Sequence, residues 1–127
     1  MKSNKAFDAD RYRVLVAVRN AQDLITMLQT VYRIALEQEG EIRVLTVNRR
    51  GTKPRWLQIP ETYAAVPIEA FTVAGRNIGS VILEEIRRYR ADLLVMGWRG
   101  ALSQGRYRLG RTLDPVVQGS PCEVLVQ

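Results

Sequence analysis

Residues 92–112 read DLLVMGWRGALSQGRYRLGRT, and the rest of the chain is organised around them. Asp92 to Met96 has the length and apolar content of a strand buried on both faces. Gly97 ends that run. A loop carrying Gly100 and Gly105 then leads to Gly110, where a second apolar pattern begins. From Gly97 to Thr112 there are arginines at Arg99, Arg106, Arg108 and Arg111 and no acid. A buried strand, a glycine-rich basic loop and a helix start together suit phosphate. Glycine allows close backbone approach, and free N–H groups at a helix start favour an anion.

Upstream of this stretch, Ile78, Ile82, Ile86 and Tyr89 mark the buried stripe of a helix, with Gly75-Arg76-Asn77 as turn and cap. Glu84 and Glu85 precede Arg87 and Arg88 by helical spacing and read as exposed ion pairs. Pro67 to Ala74 is expected to be a third strand. Before it, Asn48 to Ala65 is irregular, with Pro54, Pro60 and the basic cluster Arg49, Arg50, Lys53 and Arg55. The prolines leave room for only a short helix. Trp56 in this segment reads as a loop anchor rather than a platform for a base.

Ile42 to Val47 is a second strand. Leu24, Met27, Leu28, Val31, Ile34 and Ala35 form the stripe of a long helix reaching Glu39, with Gly40 expected as its C-terminal cap. Val14 to Val18 is a first strand, apolar throughout, and residues 1–10 are expected to be a loose lead-in to a domain at 11–127. Downstream, Leu113, Val116 and Val117 predict a short helix with Pro115 near its start. Cys122 to Val126 predicts a final strand at an exposed sheet edge, which invites pairing with a second copy.

At 127 residues and 14.4 kDa the chain fits one domain. The absence of histidine removes the usual general base and the usual zinc ligand, and the single Cys122 precludes an internal disulfide. The acids cluster nowhere suggestive, so no catalytic or metal residue is assigned and an enzyme is not favoured. The net charge of +6 permits an anionic partner. Nucleic acid is disfavoured, because no aromatic-basic motif accompanies the charge. The N-terminus lacks the apolar core of a signal peptide and no apolar run is long enough to span a bilayer. A cytoplasmic setting without direct membrane insertion is therefore expected.

Alternating strands and helices, with strands apolar throughout, predict an α/β sheet covered on both faces. Such a sheet binds ligands beyond the C-terminal ends of its strands, where strand order reverses. At this point the chain resembles the universal stress protein family. Gly97, Gly100 and Gly110 match its G-x2-G-x9-G-[S/T] signature, VLVAV resembles its opening and SPCEVLV its closing strand. The resemblance implies a five-stranded parallel sheet in order 3-2-1-4-5, dimeric through the last strand. The helix between strands 2 and 3 would here be shortened or missing.

The resemblance also implies a site for ATP or another adenine nucleotide, with magnesium as an accompanying ion. Ala17, Val18 and Arg19 would end the first strand at that site, and Val47 and Met96 would border the base. Gly97, Arg99 and Gly100 would face ribose and the first phosphates. Arg106, Gly110, Arg111 and Thr112 would face the distal ones. Two positions depart from the family's ATP-binding branch: Arg19 stands where an acid is usual, and Arg111 where Ser or Thr is usual. The leading expectation is a nucleotide-binding regulatory domain for ATP, AMP or a cyclic dinucleotide. The alternative is a ligand-free dimeric module. The GWRG loop resembles stress-protein domains appended to membrane transporters, which implies a transporter partner.

Overall fold

The apolar runs become strands and the striped segments become helices. The computed structural model describes residues 11–97 and 112–127, together with the backbone of Ala101–Ser103 and Arg106–Arg108. Strand β1 is Arg13–Ala17, helix α1 Ala21–Gln38, β2 Glu41–Asn48, β3 Ile68–Ala74, α2 Ile78–Tyr89 and β4 Leu93–Met96. Two short strands, β5 (Ala101–Ser103) and β6 (Arg106–Arg108), precede α3 (Leu113–Gly119) and β7 (Glu123–Val126).

The main sheet is parallel, in the order β3-β2-β1-β4-β7, which is the expected 3-2-1-4-5 arrangement of its five strands. Val16 of the central strand lies between Val44 and Val95, and Ala17 between Leu45 and Met96. Because side chains alternate across a strand, the apolar runs feed two cores. Val14, Val16, Val44 and Val95 join Leu24, Met27, Leu28 and Val31 of α1 on one face. Leu15, Leu45, Leu94 and Met96 join Ile82, Ile86 and Val116 of α2 and α3 on the other.

Between β2 and β3 the only helical element is a 3-10 turn at Glu61–Tyr63. The cover that a longer helix would give comes instead from Leu57 and Val66, both buried, with Trp56, Ile59 and Tyr63 packed against the same core. Tyr63 meets Tyr32 of α1 edge to face at 4.8 Å. Trp56 therefore anchors its loop.

Several expectations change. Glu39, not Gly40, takes the left-handed cap conformation of α1, at φ 53°. Gly40 is required for another reason: a Cβ there would run into the backbone oxygen of Tyr12. The glycine-rich loop after β4 contains regular structure, since β5 and β6 pair antiparallel with Ala101 opposite Arg108 and Ser103 opposite Arg106. Ile78 and Val117 do not join the buried stripes; both are exposed, on α2 and α3. The 1–10 lead-in lies outside the described residues.

The N-terminal end of the sheet holds a set of charged side chains engaged by Tyr89, by the backbone and by one another. Glu41 is 4% exposed and accepts a hydrogen bond from the Tyr89 hydroxyl at 2.9 Å. Arg13 donates through Nη1 to the Tyr89 carbonyl, and its backbone N–H donates to Asp92. Arg43 pairs with Glu69 at 3.0 Å and lies over the rings of Phe71 and Tyr89. Burial, then the hydrogen bond to Glu41, raises the Tyr89 hydroxyl pKa well above its ordinary value.

Candidate functional site

At the opposite end of the sheet, β1 and β4 are neighbours, but the chain leaves them toward different faces. After β1 it enters α1, which packs on the first core; α2 and α3 pack on the second. Strand order reverses between these two strands, and the divergence opens a crevice at their C-terminal ends. The strand ends are held level by backbone bonds. Val18 N–H donates to Leu45 O at 2.9 Å, and Gln127 N–H donates to Met96 O at 2.9 Å. The Thr46 hydroxyl, buried, donates to Val18 O at 2.9 Å.

Arg19 and Asn20 turn the chain from β1 into α1. Asn20 is the N-cap, its side-chain oxygen accepting from Asp23 N–H at 2.9 Å. Asp23 reaches back and accepts three hydrogen bonds from Arg19: from the backbone N–H at 3.0 Å, Nε at 2.7 Å and Nη2 at 3.0 Å. The guanidinium is thereby engaged along one edge. The hydrogen bond to Asp23 raises the Arg19 pKa, against a smaller opposing effect of burial, so it stays charged.

This pair lies against Gly97. A Cβ at Gly97 would come within 2.7 Å of Met27 Cε, 3.1 Å of Arg19 Nη2 and 3.7 Å of Asp23 Oδ1. A side chain at this position would displace the tips of Met27 and Arg19 and fill the space between β4 and the Arg19–Asp23 pair. The site thus combines bare backbone at the end of β4, a clamped Arg–carboxylate pair, and the apolar ends of β2 and β4.

Of the residues expected at a site, Ala17, Arg19, Met96 and Gly97 are brought together. Ala17 and Met96 are direct cross-strand partners. Val18 is 4% exposed and serves the first core. Val47 packs on the second core with Met96. Thr112 precedes α3, and its side chain makes no capping hydrogen bond. The backbone of Arg106 begins β6. Arg99, Gly100, Gly110 and Arg111 lie outside the described residues. Asp23 was not singled out from sequence. Its signal was present in two forms: it stands four residues after Arg19 and three after a capping asparagine.

Among the described residues no group of three His, Cys, Asp or Glu side chains could hold a metal ion, and no helix is long and apolar enough to cross a membrane. The reversal of strand order between β1 and β4 defines a doubly wound α/β domain. The sequence model of the Universal stress protein family matches residues 55–127, and the chain belongs to that family.

Solved structures agree in fold. Universal stress protein UspA from Lactobacillus plantarum superposes with a TM-score of 0.69 at 20% identity, covering 91% of this chain and 97% of that one. A universal stress protein solved in complex with cAMP gives 0.69 at 23% identity, covering 92% and 96%. The universal stress protein from Archaeoglobus fulgidus in complex with dAMP gives 0.69 at 16% identity, covering 90% and 95%. No curated sequence matches the chain significantly.

Proposed function

We propose that the chain is a nucleotide-binding regulatory domain of the stress-response type, taking an adenine nucleotide or a cyclic dinucleotide and acting as a homodimer in the cytoplasm. The observation that carries this reading is the bare backbone of Gly97 at the divergence of β1 and β4, beside the apolar Met96 and the Arg19–Asp23 pair. Two relatives of the same fold were solved with cAMP and with dAMP. Chemically, the partly buried Val47 at the end of β2 offers apolar surface to a base, and the Thr112 hydroxyl is not consumed by capping. Magnesium would come with the nucleotide's own phosphates. Arg99, Gly100, Arg106, Gly110 and Arg111 are assigned to the phosphates by the glycine signature alone.

The proposed role is binding, with no histidine in the sequence to act as a general base. The dimer would form through the outer edge of β7. Its other edge pairs with β4, and its Leu125 is exposed.

Thermal unfolding with ATP, AMP, cAMP or a cyclic dinucleotide, with and without magnesium, tests the reading. A ligand at a hundred times its Kd adds about 2.7 kcal/mol. For a domain of this size that raises the melting point by roughly ten degrees. Flat traces with every nucleotide would overturn it.

One observation favours a second reading, a dimeric interaction module that binds no nucleotide and serves as an accessory domain of a membrane transporter. The Arg19 fork is closed on Asp23 at the crevice itself. On this reading Arg19→Asp creates nucleotide affinity that the unaltered protein lacks.

A further inference from the structure

The loops after β2 and β3 form one braced surface. Asn48 folds the first of them: its Oδ1 accepts from Gly51 N–H at 2.6 Å and Thr52 N–H at 3.2 Å, while its Nδ2 donates to Thr52 O. Gly51 has φ +71° and sits on Ala74, where a Cβ would approach that residue's Cβ and N at 3.1 Å. Gly75 N–H donates to Asn48 O at 3.0 Å, so the second loop is tied to the first. The two loops are therefore braced against each other.

From Asn48 to Pro60 and from Gly75 to Ile78 this surface carries only cations and neutral residues. It exposes Arg49, Arg50, Lys53 and Arg55 from the first loop and Arg76 from the second. No acid occurs from Ile42 to Pro60 or from Ala70 to Leu83. Among the described residues none of these five cations forms an ion pair, whereas Arg19, Arg43 and Arg88 all do. Two residues past Arg76, Ile78 begins α2 with 41% of its surface exposed.

We propose that this rim is a docking surface for an anionic membrane leaflet, with the arginines on lipid phosphates and Ile78 at the boundary of headgroups and acyl chains. Guanidinium forks match phosphate oxygens in pairs, and an aliphatic side chain among cations gains from that boundary. A plane can meet the tips of both loops at once. A nucleic acid fits less well: the one tryptophan of the segment, Trp56, packs against the core and is not offered to a base, and the rim presents turns where groove readers present a helix or ribbon. The proposal is independent of whether the crevice holds a nucleotide.

The test is co-sedimentation of the whole chain with vesicles of phosphatidylcholine, with and without phosphatidylserine, over a range of salt. Each rim cation adds about fivefold to partitioning onto an anionic leaflet. Arg49→Glu with Arg50→Glu should therefore weaken binding by at least about 25-fold. A charge-matched control, Arg33→Glu with Arg87→Glu on the outer faces of α1 and α2, should stay within about threefold of the unaltered protein, as general charge screening allows. Ile78→Ser should weaken binding without changing its salt dependence. Circular dichroism confirms that each variant is folded. Equal losses in rim and control variants, no preference for phosphatidylserine, or tighter binding to an oligonucleotide or to polyglutamate than to the vesicles would each overturn the assignment.

Discussion

The two ends of the sheet carry charge in opposite ways. At the N-terminal end, Arg43 is paired with Glu69, the Arg13 guanidinium donates to the Tyr89 carbonyl, Glu41 accepts from the Tyr89 hydroxyl, and two aromatic rings lie under the guanidinium groups. At the C-terminal end, Arg19 is paired, while Arg49, Arg50, Lys53, Arg55 and Arg76 are exposed and form no ion pair among the described residues. A buried charge needs a partner to offset its desolvation, and an exposed one does not. The closed end is therefore built for stability and the open end for encounter. Substitutions at the two ends should separate these roles.

The largest effect is expected at Gly40, at the closed end. Gly40→Ala drives a Cβ into the backbone oxygen of Tyr12, an atom that also accepts the Glu41 N–H bond and cannot swing aside. A loss of about 3 kcal/mol is expected from urea unfolding. An unchanged midpoint would show that the β1–β2 start is less tightly braced than described. Next in size is Glu41→Ala, which strands the buried Tyr89 hydroxyl and should cost about 2 kcal/mol. Arg49→Ala with Arg50→Ala, at the open end, should change stability by less than about 0.5 kcal/mol. If the rim pair proved as costly as Glu41, the contrast between the ends would fail.

The closed end also has a pH signature. Burial first, and then Glu41, raises the Tyr89 pKa above 10.0. Above that pH the unfolded chain gives up the Tyr89 proton while the folded chain keeps it. The stabilisation is thus fully present below pH 10.0 and is lost progressively as pH rises beyond it. Tyr89→Phe should flatten the alkaline fall in melting temperature, which a set of thermal scans at rising pH would reveal. A modest effect, between those of Glu41 and of the rim pair, is expected for Asp23→Ala. The pair it breaks is half-exposed on the Arg19 side, and the stability loss should stay near 0.5–1 kcal/mol. A much greater loss would make the pair part of the framework and not a feature of the crevice.

Much of this contrast could be read in the sequence, and some could not. The runs Val14–Val18 and Leu93–Met96 announced a parallel sheet because a strand covered on both faces has no polar alternation. Pro54 and Pro60 announced the lost helix, and Gly97 the end of β4. The pairing of Arg19 was harder to see. A charge is legible along a chain, but whether it is cancelled depends on the rotamer and helix turn that bring Asp23 back to it. Gly40 shows the same limit: its position after a helix suggested a cap, while its actual constraint comes from Tyr12, 28 residues away in sequence. The β5–β6 ribbon was missed because ALS and RYR are too short to show a period. Only their two-residue spacing, ending in a glycine, hinted at a hairpin.

The central claim is that the crevice between the ends of β1 and β4 holds a nucleotide. Calorimetric titration of ATP, AMP and a cyclic dinucleotide into the unaltered protein and into Gly97→Val tests it most directly. The account predicts saturable binding of at least one of them to the unaltered protein. In Gly97→Val, shown to be folded, it predicts a Kd more than about tenfold weaker, a loss of at least ~1.4 kcal/mol. Equal affinity in the two proteins would place the ligand elsewhere, and no binding by either would contradict the account.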